Sequence, residues 1–576
     1  MTETRNQRLL APRYFPALSA LMAVLLVDAA ILMGIVLHLV RGPVFQATLR
    51  FAQTAVFLAA AVLGGLTVLA AIFLWRSPQS QSIRDGSQPQ LWTTFRWSLY
   101  LTIILLAVSW TLWNYRIDGV LTWPDTEDYA MIASQTWYSP VFWTGGNPPG
   151  LPLLFKVFGL NWDTFNSPQY DNIARQITYF QTALSFLAVG CIAFSLAYVI
   201  RQKWLRPFAV LVVFGLGMSA DVSQWNKMLL SESLSTSLFF GLIAGVILLA
   251  RWCERSGAAK GPIVAALTTI IAISVALYAF TRDVNSYFLL ALGGLALPLV
   301  VIAVVRRNRW WWAYATIVGI MLLAAVGSAV SRRSRWSYPF INLIYDRVLP
   351  DKAAVDFFVR HDFPIEVVES IQPKSRNELQ VAYRGDQGEP LRVWFEESAR
   401  LVHVKFLLSR PVDTLRAPLA DLPALLSPDV SWYRVRLHPE PPWLPLAGAV
   451  FYPKSSLILG LWSVVVLGST AVLIRVGKGR PFWAIPLLVL ATLYPLYLVI
   501  WHGDTAALER HSLPIGLGLR LSLWLLTFFV LDATLAQHAP RPIRAMAGVK
   551  PDLHRMSKDD LGNEKAPLKD GAQRQK

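Results

Sequence analysis

Residues 286–305 read SYFLLALGGLALPLVVIAVV, a stretch without a charged side chain that ends at the pair Arg306 and Arg307. An apolar helix of about twenty residues crosses the hydrocarbon core of a bilayer. Similar apolar runs recur along the 576 residues, of which 54% are hydrophobic. Only 15% are charged, against about 25% in a soluble domain. This composition excludes a soluble enzyme, a disordered protein and a disulfide scaffold, and it indicates a polytopic membrane protein.

The positions of these runs predict an all-α membrane protein with about twelve transmembrane helices. The third run is short and the fifth is weakly apolar, so the count holds to within one or two. The expected spans are residues 15–40, 51–75, 97–113, 177–200, 205–220, 232–250, 261–280, 286–305, 310–330, 451–474, 481–501 and 512–534.

The Lys and Arg residues predict which side of the membrane each loop faces. With the N-terminus in the cytoplasm, the five short inner loops hold fifteen Lys and Arg, and the four short outer loops hold five. Cytoplasmic loops of membrane proteins carry such an excess of positive charge. The net charge of +17 is therefore a topology signal and not the mark of a nucleic-acid partner. We expect a multi-pass protein of the plasma or inner membrane with both termini in the cytoplasm.

Two long segments then lie outside the membrane and divide the chain. Residues 1–330 form the first part of the transmembrane domain, with nine spans and a long outer loop at 114–176. Residues 331–450 mix acidic and basic side chains and are long enough for an inserted external soluble domain, α or α+β. Residues 451–540 supply the last three spans, and the polar tail 541–576 is expected to be disordered and cytoplasmic.

Within the expected external domain, residues 391–408 show the periodicity of an amphipathic helix. Such a helix can lie on the membrane surface. An ordinary core-facing helix of the external domain explains the pattern equally well. The apolar positions are Val393, Phe395, Leu401, Val404 and Leu408.

Acidic residues cluster in the first long outer loop, where residues 118–133 read DGVLTWPDTEDYAMIA. The proline before Asp125 suits the first turn of a helix. Asp125 would then share one face with Asp128 and with Tyr129, which follow it by three and four residues. A capping role, with Asp125 or Thr122 as the N-cap and an acid three residues on as its partner, explains one carboxylate but not all three.

Downstream of the acidic cluster, residues 143–156 read WTGGNPPGLPLLFK. The Pro/Gly turn predicts an elbow that leads into an apolar helix too short to cross a bilayer. This helix would lie along the outer membrane interface or dip into it. A purely structural elbow is the alternative interpretation.

An acidic residue four positions before a tyrosine in the first long outer loop, followed by a PPG-L-P-L-L elbow, resembles the GT-C glycosyltransferases. These polytopic enzymes use polyprenyl-phosphate sugars. The similarity is greatest to the branch that contains the bacterial lipid A aminoarabinose transferases and the protein O-mannosyltransferases. That branch has a motif similar to Asp-Glu-x-x-Tyr, where this chain has DTEDY at 125–129, so the second acid is displaced.

Three further segments at outer span ends fit the same resemblance. Glu232 follows a small residue and opens span six, and Arg282 lies at the outer end of span seven. The sequence ERHSLP at 509–514 opens span twelve and is similar to the Glu-Arg-Tyr-x-x-Pro segment of the family. His511 stands where the family usually has tyrosine.

The resemblance implies an inverting glycosyltransferase of the cell envelope. It would move a hexosyl or pentosyl group from a polyprenyl-phosphate donor to a glycan, lipid or protein acceptor at the outer face of the membrane. An Asp general base would take the proton of the acceptor hydroxyl, and basic side chains would bind the donor phosphate. The candidate catalytic residues are Asp125, Asp128 and Glu232. The candidates for the donor phosphate are Arg282, Arg510 and Lys227, and those for substrate binding are Tyr129, Glu127, His511 and Glu509.

The sequence specifies no cofactor, although the acidic candidates Asp125, Asp128 and Glu232 could supply oxygen ligands to Mg²⁺ or Mn²⁺. The main alternative function is a multi-pass transporter or flippase of lipid-linked substrates. Transporters place polar residues and broken helices near the middle of the membrane, whereas the acids and bases here collect at the outer face. An assembly protein of the envelope and a polymerase or ligase of lipid-linked glycans are further alternatives.

Overall fold

The residues that can be described form helices and no β-strand, as the sequence predicts for an all-α fold. The expected spans 15–40 and 51–75 and the tail 541–576 lie outside the described residues, and the expected span 97–113 is covered only in part. A computed structural model describes residues 97, 99–107, 120–255, 261–331, 336–373, 375–426, 448–505 and 508–538.

Four short helices carry the loop in which the acidic residues cluster. Helix α1 begins at a proline, as expected, and the elbow leads into the short apolar helix α3. The four helices are α1 (Pro124–Ser134), α2 (Pro140–Thr144), α3 (Gly150–Phe158) and α4 (Trp162–Phe165). Side chains of α1 and α3 pack in a small core with the residues that precede position 232, where the sixth expected span begins. The members of this core include Tyr129, Leu151, Phe155, Trp225 and Leu229.

The long helices of the first half follow, and they occupy the positions expected for spans four to nine. The fifth expected span is a bent pair, because α6 and residues 220–227 meet at 49°. The helices are α5 (Tyr170–Val199), α6 (Leu205–Gly217), α7 (Ala220–Ser223), α8 (Ser231–Arg255), α9 (Gly261–Ala279), α10 (Asp283–Val305) and α11 (Trp311–Ser331).

Among the described residues 336–426, seven shorter helices lie between α11 and the last spans, and the first six share an apolar core rich in aromatic rings. Trp394 is at its centre and packs edge-on against Phe363 and Phe395. The expected helix at 391–408 is interrupted by a π-helical turn, Phe395–Ala399. The helices are α12 (Ser337–Leu343), α13 (Lys352–Val359), α14 (Ile365–Ile371), α15 (Arg376–Arg384), α16 (Glu389–Trp394), α17 (Arg400–Ser409) and α18 (Pro411–Leu426).

The last helices return to the bundle. Over the residues described, eight helices are long and apolar enough to cross a membrane, or nine if the bent pair is one span. Their positions support a polytopic membrane protein, and the total of twelve spans stays a prediction. The last helices are α19 (Ser456–Arg475), α20 (Ala484–Gly503), α21 (Leu508–His511) and α22 (Leu513–His538).

The buried arginine of α22 has a structural role. Arg520 is 0% exposed, and its guanidinium donates to the carbonyl oxygens of Pro453, Gly516 and Leu426. Its charge also lies 3.8 Å from the ring centre of Tyr452. A charge inside a membrane protein is a functional hypothesis by default. Here three carbonyl groups and a ring account for it, so Arg520 joins α22 to the segments before α19.

The elbow before α3 approaches the α9–α10 turn so closely that only glycine fits. The N–H of Gly150 donates to the carbonyl oxygen of Phe280 at 2.8 Å. A Cβ atom at this position would lie 2.9 Å from that oxygen and from Cα of Thr281. The contact fixes the loop helices against the turn that carries Arg282.

We predict that Gly150→Ala destabilises the protein, because the added methyl group pushes α3 away from Phe280 and breaks the hydrogen bond. Overpacking of this kind costs about 1–3 kcal/mol. Gly241→Ala in α8 is the matched control, since no atom lies within 4 Å of its added Cβ. Thermal unfolding in detergent should give a lower midpoint for Gly150→Ala only. Equal midpoints for the two variants would contradict the close contact.

Candidate functional site

The start of α1 positions Asp125. Trp123 precedes the helix, and its N–H donates to the hydroxyl of Thr126 at 3.0 Å. The same hydroxyl donates to the carbonyl oxygen of Leu229 at 3.2 Å. Asp125 is the second residue of the helix and not its N-cap, so the capping interpretation is wrong for this carboxylate. The side chain is directed at an arginine instead.

The far end of α1 is also fixed, by the elbow helix α3. The ammonium group of Lys156 donates to the carbonyl oxygens of Ala133 and Gln135, at 2.9 and 2.5 Å. A lysine side chain that reaches the C-terminal end of a helix can bind the last carbonyl groups, which have no partner within that helix. Both ends of α1 are therefore held by other segments, and Asp125 is carried on a fixed element.

A short parallel bridge joins this loop to the start of α8. The N–H of Leu121 donates to the carbonyl oxygen of Lys227, and the N–H of Leu229 donates to that of Leu121. The bridge brings the residues before α1 alongside the residues before Glu232. Two carboxylates that are about a hundred positions apart in sequence consequently lie on either side of one arginine.

Four charged side chains from distant segments form one ion cluster, which consists of Asp125, Glu232, Arg282 and Arg510. Nη2 of Arg510 lies 2.7 Å from Oδ2 of Asp125, and its Nε lies 3.0 Å from Oε1 of Glu232. Nη2 of Arg282 lies 3.1 Å from the same Oε1 atom. The formal charges of the four side chains cancel.

The solvent exposure of the side chains increases across the ion cluster. The side chains of Glu232 and Arg282 are 1% and 5% exposed, whereas those of Arg510 and Asp125 are 12% and 26% exposed. Charges removed from water are tolerated when they are paired. Oε2 of Glu232 and Nη1 of Arg282 are buried without a hydrogen-bond partner among the described residues. Asp125 therefore forms the side of the cluster that faces solvent.

Tyr129 lies next to the ion cluster on the same face of α1 as Asp125. Its hydroxyl lies 3.4 Å from Oγ of Ser231, the residue before Glu232. Its ring packs edge-on against Phe155 of the elbow helix. Tyr129 is 4% exposed, so it links α1 to the mouth of α8.

The other predicted site residues lie around the ion cluster. Glu127 and Asp128 are exposed on α1, and Lys227 contributes the carbonyl group of the parallel bridge. The carbonyl oxygen of Glu509 accepts a hydrogen bond from the Ser512 hydroxyl. Asp128 is exposed, whereas Asp125 and Glu232 both contact Arg510.

The acidic candidates are therefore not arranged as ligands of one metal ion. Across the described ranges, no group of three or more His, Cys, Asp or Glu side chains is placed to hold a metal. A guanidinium group lies between Asp125 and Glu232, and Asp128 is on an exposed face of α1.

His511 is close to an acid that the sequence did not single out. Its Nε2 atom lies 3.6 Å from Oδ2 of Asp504, and Oδ1 of Asp504 accepts a hydrogen bond from Asn342 at 3.2 Å. Asp504 follows the end of α20 and Asn342 belongs to α12. The only signal for Asp504 in the sequence is its place after Gly503 at a span end, which is common for polar residues of any role.

A cavity of about 430 Å³ opens beside the ion cluster, between the span ends and the shorter helices. Asp283 and His511 line it, and each directly follows an arginine of the cluster. Tyr287, Phe340 and Ile500 supply apolar walls. Arg400, His403, His502 and Asp504 supply polar groups. Pockets of about 300–1,000 Å³ with apolar walls and a few polar groups are typical of small-molecule sites.

Comparison with known protein families, curated proteins and solved structures finds no match to this chain. The resemblance to the GT-C glycosyltransferases therefore rests on the motifs quoted above. The ion cluster and the neighbouring cavity are observed in the structure independently of that resemblance.

His403 is held in the cavity wall as a neutral side chain. Its Nε2 atom lies 3.1 Å from the carbonyl oxygen of His502 and donates to it. Burial lowers the pKa of His403 from 6.5 to about 4, and the charge of Arg347 acts in the same direction, against the hydrogen bond to the His502 carbonyl. The folded protein thus binds no proton here in a pH range in which an unfolded chain would.

We predict that Glu232→Gln destabilises the protein, because it leaves two buried guanidinium groups without their shared counter-charge. Loss of one partner of a buried ion pair costs about 3–5 kcal/mol. The exposed substitution Glu127→Gln makes the same chemical change on α1 and serves as the control. Thermal unfolding should separate the two variants, and a wild-type midpoint for Glu232→Gln would show that Glu232 does not hold the arginines.

We predict a second, pH-dependent effect at His403. Between about pH 4 and 6.5 the unfolded state binds a proton at His403 that the folded state does not. The free energy of unfolding therefore keeps its full contribution from neutral His403 above pH 6.5, and it decreases as the pH falls below that value. His403→Gln keeps a donor for the His502 carbonyl group but does not titrate. Its unfolding midpoint should fall less than that of the wild type when the pH is lowered from neutral to about 5. Parallel curves for the two proteins would contradict the assignment.

Proposed function

We propose that this protein is a membrane glycosyltransferase that moves a sugar from a polyprenyl-phosphate donor to an acceptor hydroxyl, with inversion at the anomeric carbon. The ion cluster carries the proposal, because Arg510 lies between Asp125 and Glu232 and Arg282 binds the other side of Glu232. A transfer from a lipid phosphate needs an anion site beside a base. The cluster offers two arginines and a partly exposed carboxylate in direct contact.

The two arginines supply the positive charge for the donor phosphate. Both contact Oε1 of Glu232 within 3.1 Å, so their guanidinium groups are held close together despite their mutual repulsion. Guanidinium groups bind phosphate oxygens through paired N–H bonds. Fixed donors of this kind also stabilise the negative charge that grows on a leaving phosphate. Arg510 is the more exposed of the two and would contact the phosphate first.

Asp125 has to leave Arg510 before a phosphate can bind there. Its carboxylate is the most exposed member of the ion cluster, at 26%. A phosphate oxygen makes the same charge-assisted bond to a guanidinium group as a carboxylate oxygen does. The exchange would free Asp125 beside the bound phosphate, at the place where a base is required. Donor binding would thus release the Asp125 carboxylate to act as the base. While no donor is bound, this carboxylate is paired with Arg510.

In the transfer step the acceptor oxygen attacks the anomeric carbon while Asp125 takes the proton of the acceptor hydroxyl. The new bond joins the acceptor oxygen to that carbon. The bond from the carbon to the phosphate oxygen breaks, and its electron pair stays on the polyprenyl phosphate, which Arg510 and Arg282 hold. Attack and departure occur on opposite faces of the sugar, so the configuration inverts. Glu232 is then the fixed counter-ion of the arginines and not the base.

The surroundings of the ion cluster suit an amphiphilic donor. The neighbouring cavity has room for a sugar, and it begins at the residues that follow the two arginines. The excess of Lys and Arg in the opposite loops supports an orientation with the cluster at the outer face of the plasma or inner membrane. The envelope acceptor, a glycan, lipid or protein, would approach from that side.

A transporter is supported less well by the same residues. Transporters bind their cargo near the middle of the membrane, at interrupted helices. The ion cluster lies at span ends, and the carbonyl groups around Arg520 already bind the guanidinium inside the bundle. Within the cluster, Asp125 and Arg510 are partly exposed.

We predict that Asp125→Asn greatly slows transfer but strengthens lipid-phosphate binding. The amide cannot accept the acceptor proton, and loss of a general base lowers the rate by about 10²–10⁴-fold. The amide also binds Arg510 more weakly than a carboxylate does, so a phosphate displaces it more easily. Turnover is measured with radiolabelled polyprenyl-phosphate sugars, and binding with farnesyl phosphate by calorimetry in detergent.

Asp163→Asn removes the same charge from an exposed position on α4 and should leave turnover and binding unchanged. Normal turnover by Asp125→Asn, with an inactive Asp128→Asn variant, would show that the wrong carboxylate was chosen. Unchanged farnesyl phosphate affinity in Asp125→Asn would contradict the exchange on Arg510. Absence of turnover and of lipid-phosphate binding in the wild type would overturn the proposed function.

A further inference from the structure

Helices α17 and α18 expose apolar side chains at the same spacing, which is i, i+3 and i+7 in both helices. Leu408 is 73% exposed and Val412 is 71% exposed, far more than is usual for a leucine or valine of a folded domain. The six residues, called here the apolar face, are Leu401, Val404, Leu408, Val412, Leu415 and Leu419. Contiguous exposed apolar surface marks a contact with another molecule or with a membrane.

Helix α18 has three distinct faces. One face packs against the protein through Thr414, Pro418 and Leu425, which are half-buried or buried. A second face carries exposed polar residues, such as Asp413 and Arg416. The third is the apolar face. A surface helix in water needs only a buried face and a polar face. A third, apolar face indicates an environment other than water and other than the protein core.

The contacts of α18 place it alongside a membrane span. The hydroxyl of Tyr494 donates to the carbonyl oxygen of Leu415 at 2.7 Å, and that of Tyr497 donates to the carbonyl oxygen of Pro418. Both tyrosines belong to α20, which is among the helices apolar enough to cross a membrane.

These contacts also give the depth of α18 relative to the span end. Tyr494 lies nine residues before Gly503, the last residue of α20, which is about 14 Å along a helix axis. At the end of α20, His502 contacts the carbonyl oxygen of Thr414 at 2.9 Å and Trp501 donates to Asp421 at 2.8 Å. Helix α18 therefore runs beside the final turns of α20. Val499, on those same turns, is 43% exposed and lines the cavity.

We propose that the apolar face of α17 and α18 lies in the interfacial layer of the bilayer, with lipid acyl chains as its partner. The apolar side chains would enter the boundary between head groups and acyl chains, while Asp413 and Arg416 stay among the head groups. Helices with one apolar and one charged face bind membranes in this way. The amphipathic pattern at 391–408 is then explained in two parts, since Phe395 is 2% exposed in the aromatic core, whereas Leu401 and Leu408 are exposed and would face lipid, with Val404 at the edge of the cavity.

This placement bears on the cavity but does not depend on the proposed reaction. Arg400, His403 and Val404 of α17 line the cavity, opposite Val499 and Ile500 of α20. With α17 at the membrane surface, the wall of the cavity on that side borders lipid. An amphiphile could then enter the cavity from the bilayer without crossing the aqueous phase.

The test compares two labels on α18 of the full-length protein in vesicles of phosphatidylcholine. Cys191 and Cys253 are first replaced by serine, and a single cysteine is introduced by Leu415→Cys or by Ala420→Cys. Ala420 is an exposed apolar residue on the polar side of the same helix, so it is the matched control. Each variant is labelled with an environment-sensitive fluorophore and must unfold at the midpoint of the unlabelled protein.

Quenching is then measured with doxyl-labelled lipid and with iodide. A label at position 415 should be quenched by the doxyl lipid on the order of twofold more than a label at 420, because an interfacial helix buries its apolar face by about 5–10 Å. Iodide should quench the label at 420 more strongly. Quenching at 415 by iodide alone would show a face in water and overturn the proposal. Protection of position 415 from both quenchers would show a protein partner, such as a second copy, and would also overturn it.

Discussion

Oε1 of Glu232 forms ion pairs with the guanidinium groups of both Arg282 and Arg510, at 3.1 and 3.0 Å, and the Glu232 side chain is 1% exposed. Two positive charges are tolerated at such a position only because a carboxylate lies between them. The contact joins the starts of α8, α10 and α21, and Asp125 joins the loop helices to the same point. The parallel bridge and the Gly150 contact also hold the loop helices close to this carboxylate.

Much of the fold follows from the sequence because membrane helices are specified by local composition. An apolar run of about twenty residues needs no partner to be helical in a bilayer, where backbone groups must be paired within the helix. The long helices therefore begin and end near their predicted positions. The sequence predicts one weak span at 205–220 and an outer loop after it, because the polar residues give no sign of the second helical segment at 220–227 or of the 49° bend. The contacts of α18 with α20 depend on tertiary packing and could not be read from local pattern.

The candidate site was predictable in its members but not in its pairing. Glu232, Arg282 and Arg510 stand at the ends of apolar runs and Asp125 lies in the loop after one, so the order of spans predicts that all four lie on the same side of the membrane. Which carboxylate faces which arginine depends on the tilt and rotation of the helices, which the sequence does not encode locally. Asp128 was therefore grouped with Asp125, although the structure leaves it exposed. Asp504 was missed, because its partner His511 comes close only through the α20–α21 turn.

The ion pair of Asp125 and Arg510 joins the loop helices to the ion cluster. In the proposed mechanism it also keeps the Asp125 carboxylate from acting as the base until a phosphate displaces it from Arg510. The most direct measurement of this account is an experimental structure of the full-length protein with a polyprenyl monophosphate bound. The account predicts phosphate oxygens within hydrogen-bond distance of Arg510, with the Asp125 carboxylate displaced from it and Glu232 still on both arginines. A lipid phosphate bound elsewhere, with the Asp125–Arg510 pair intact, would contradict it.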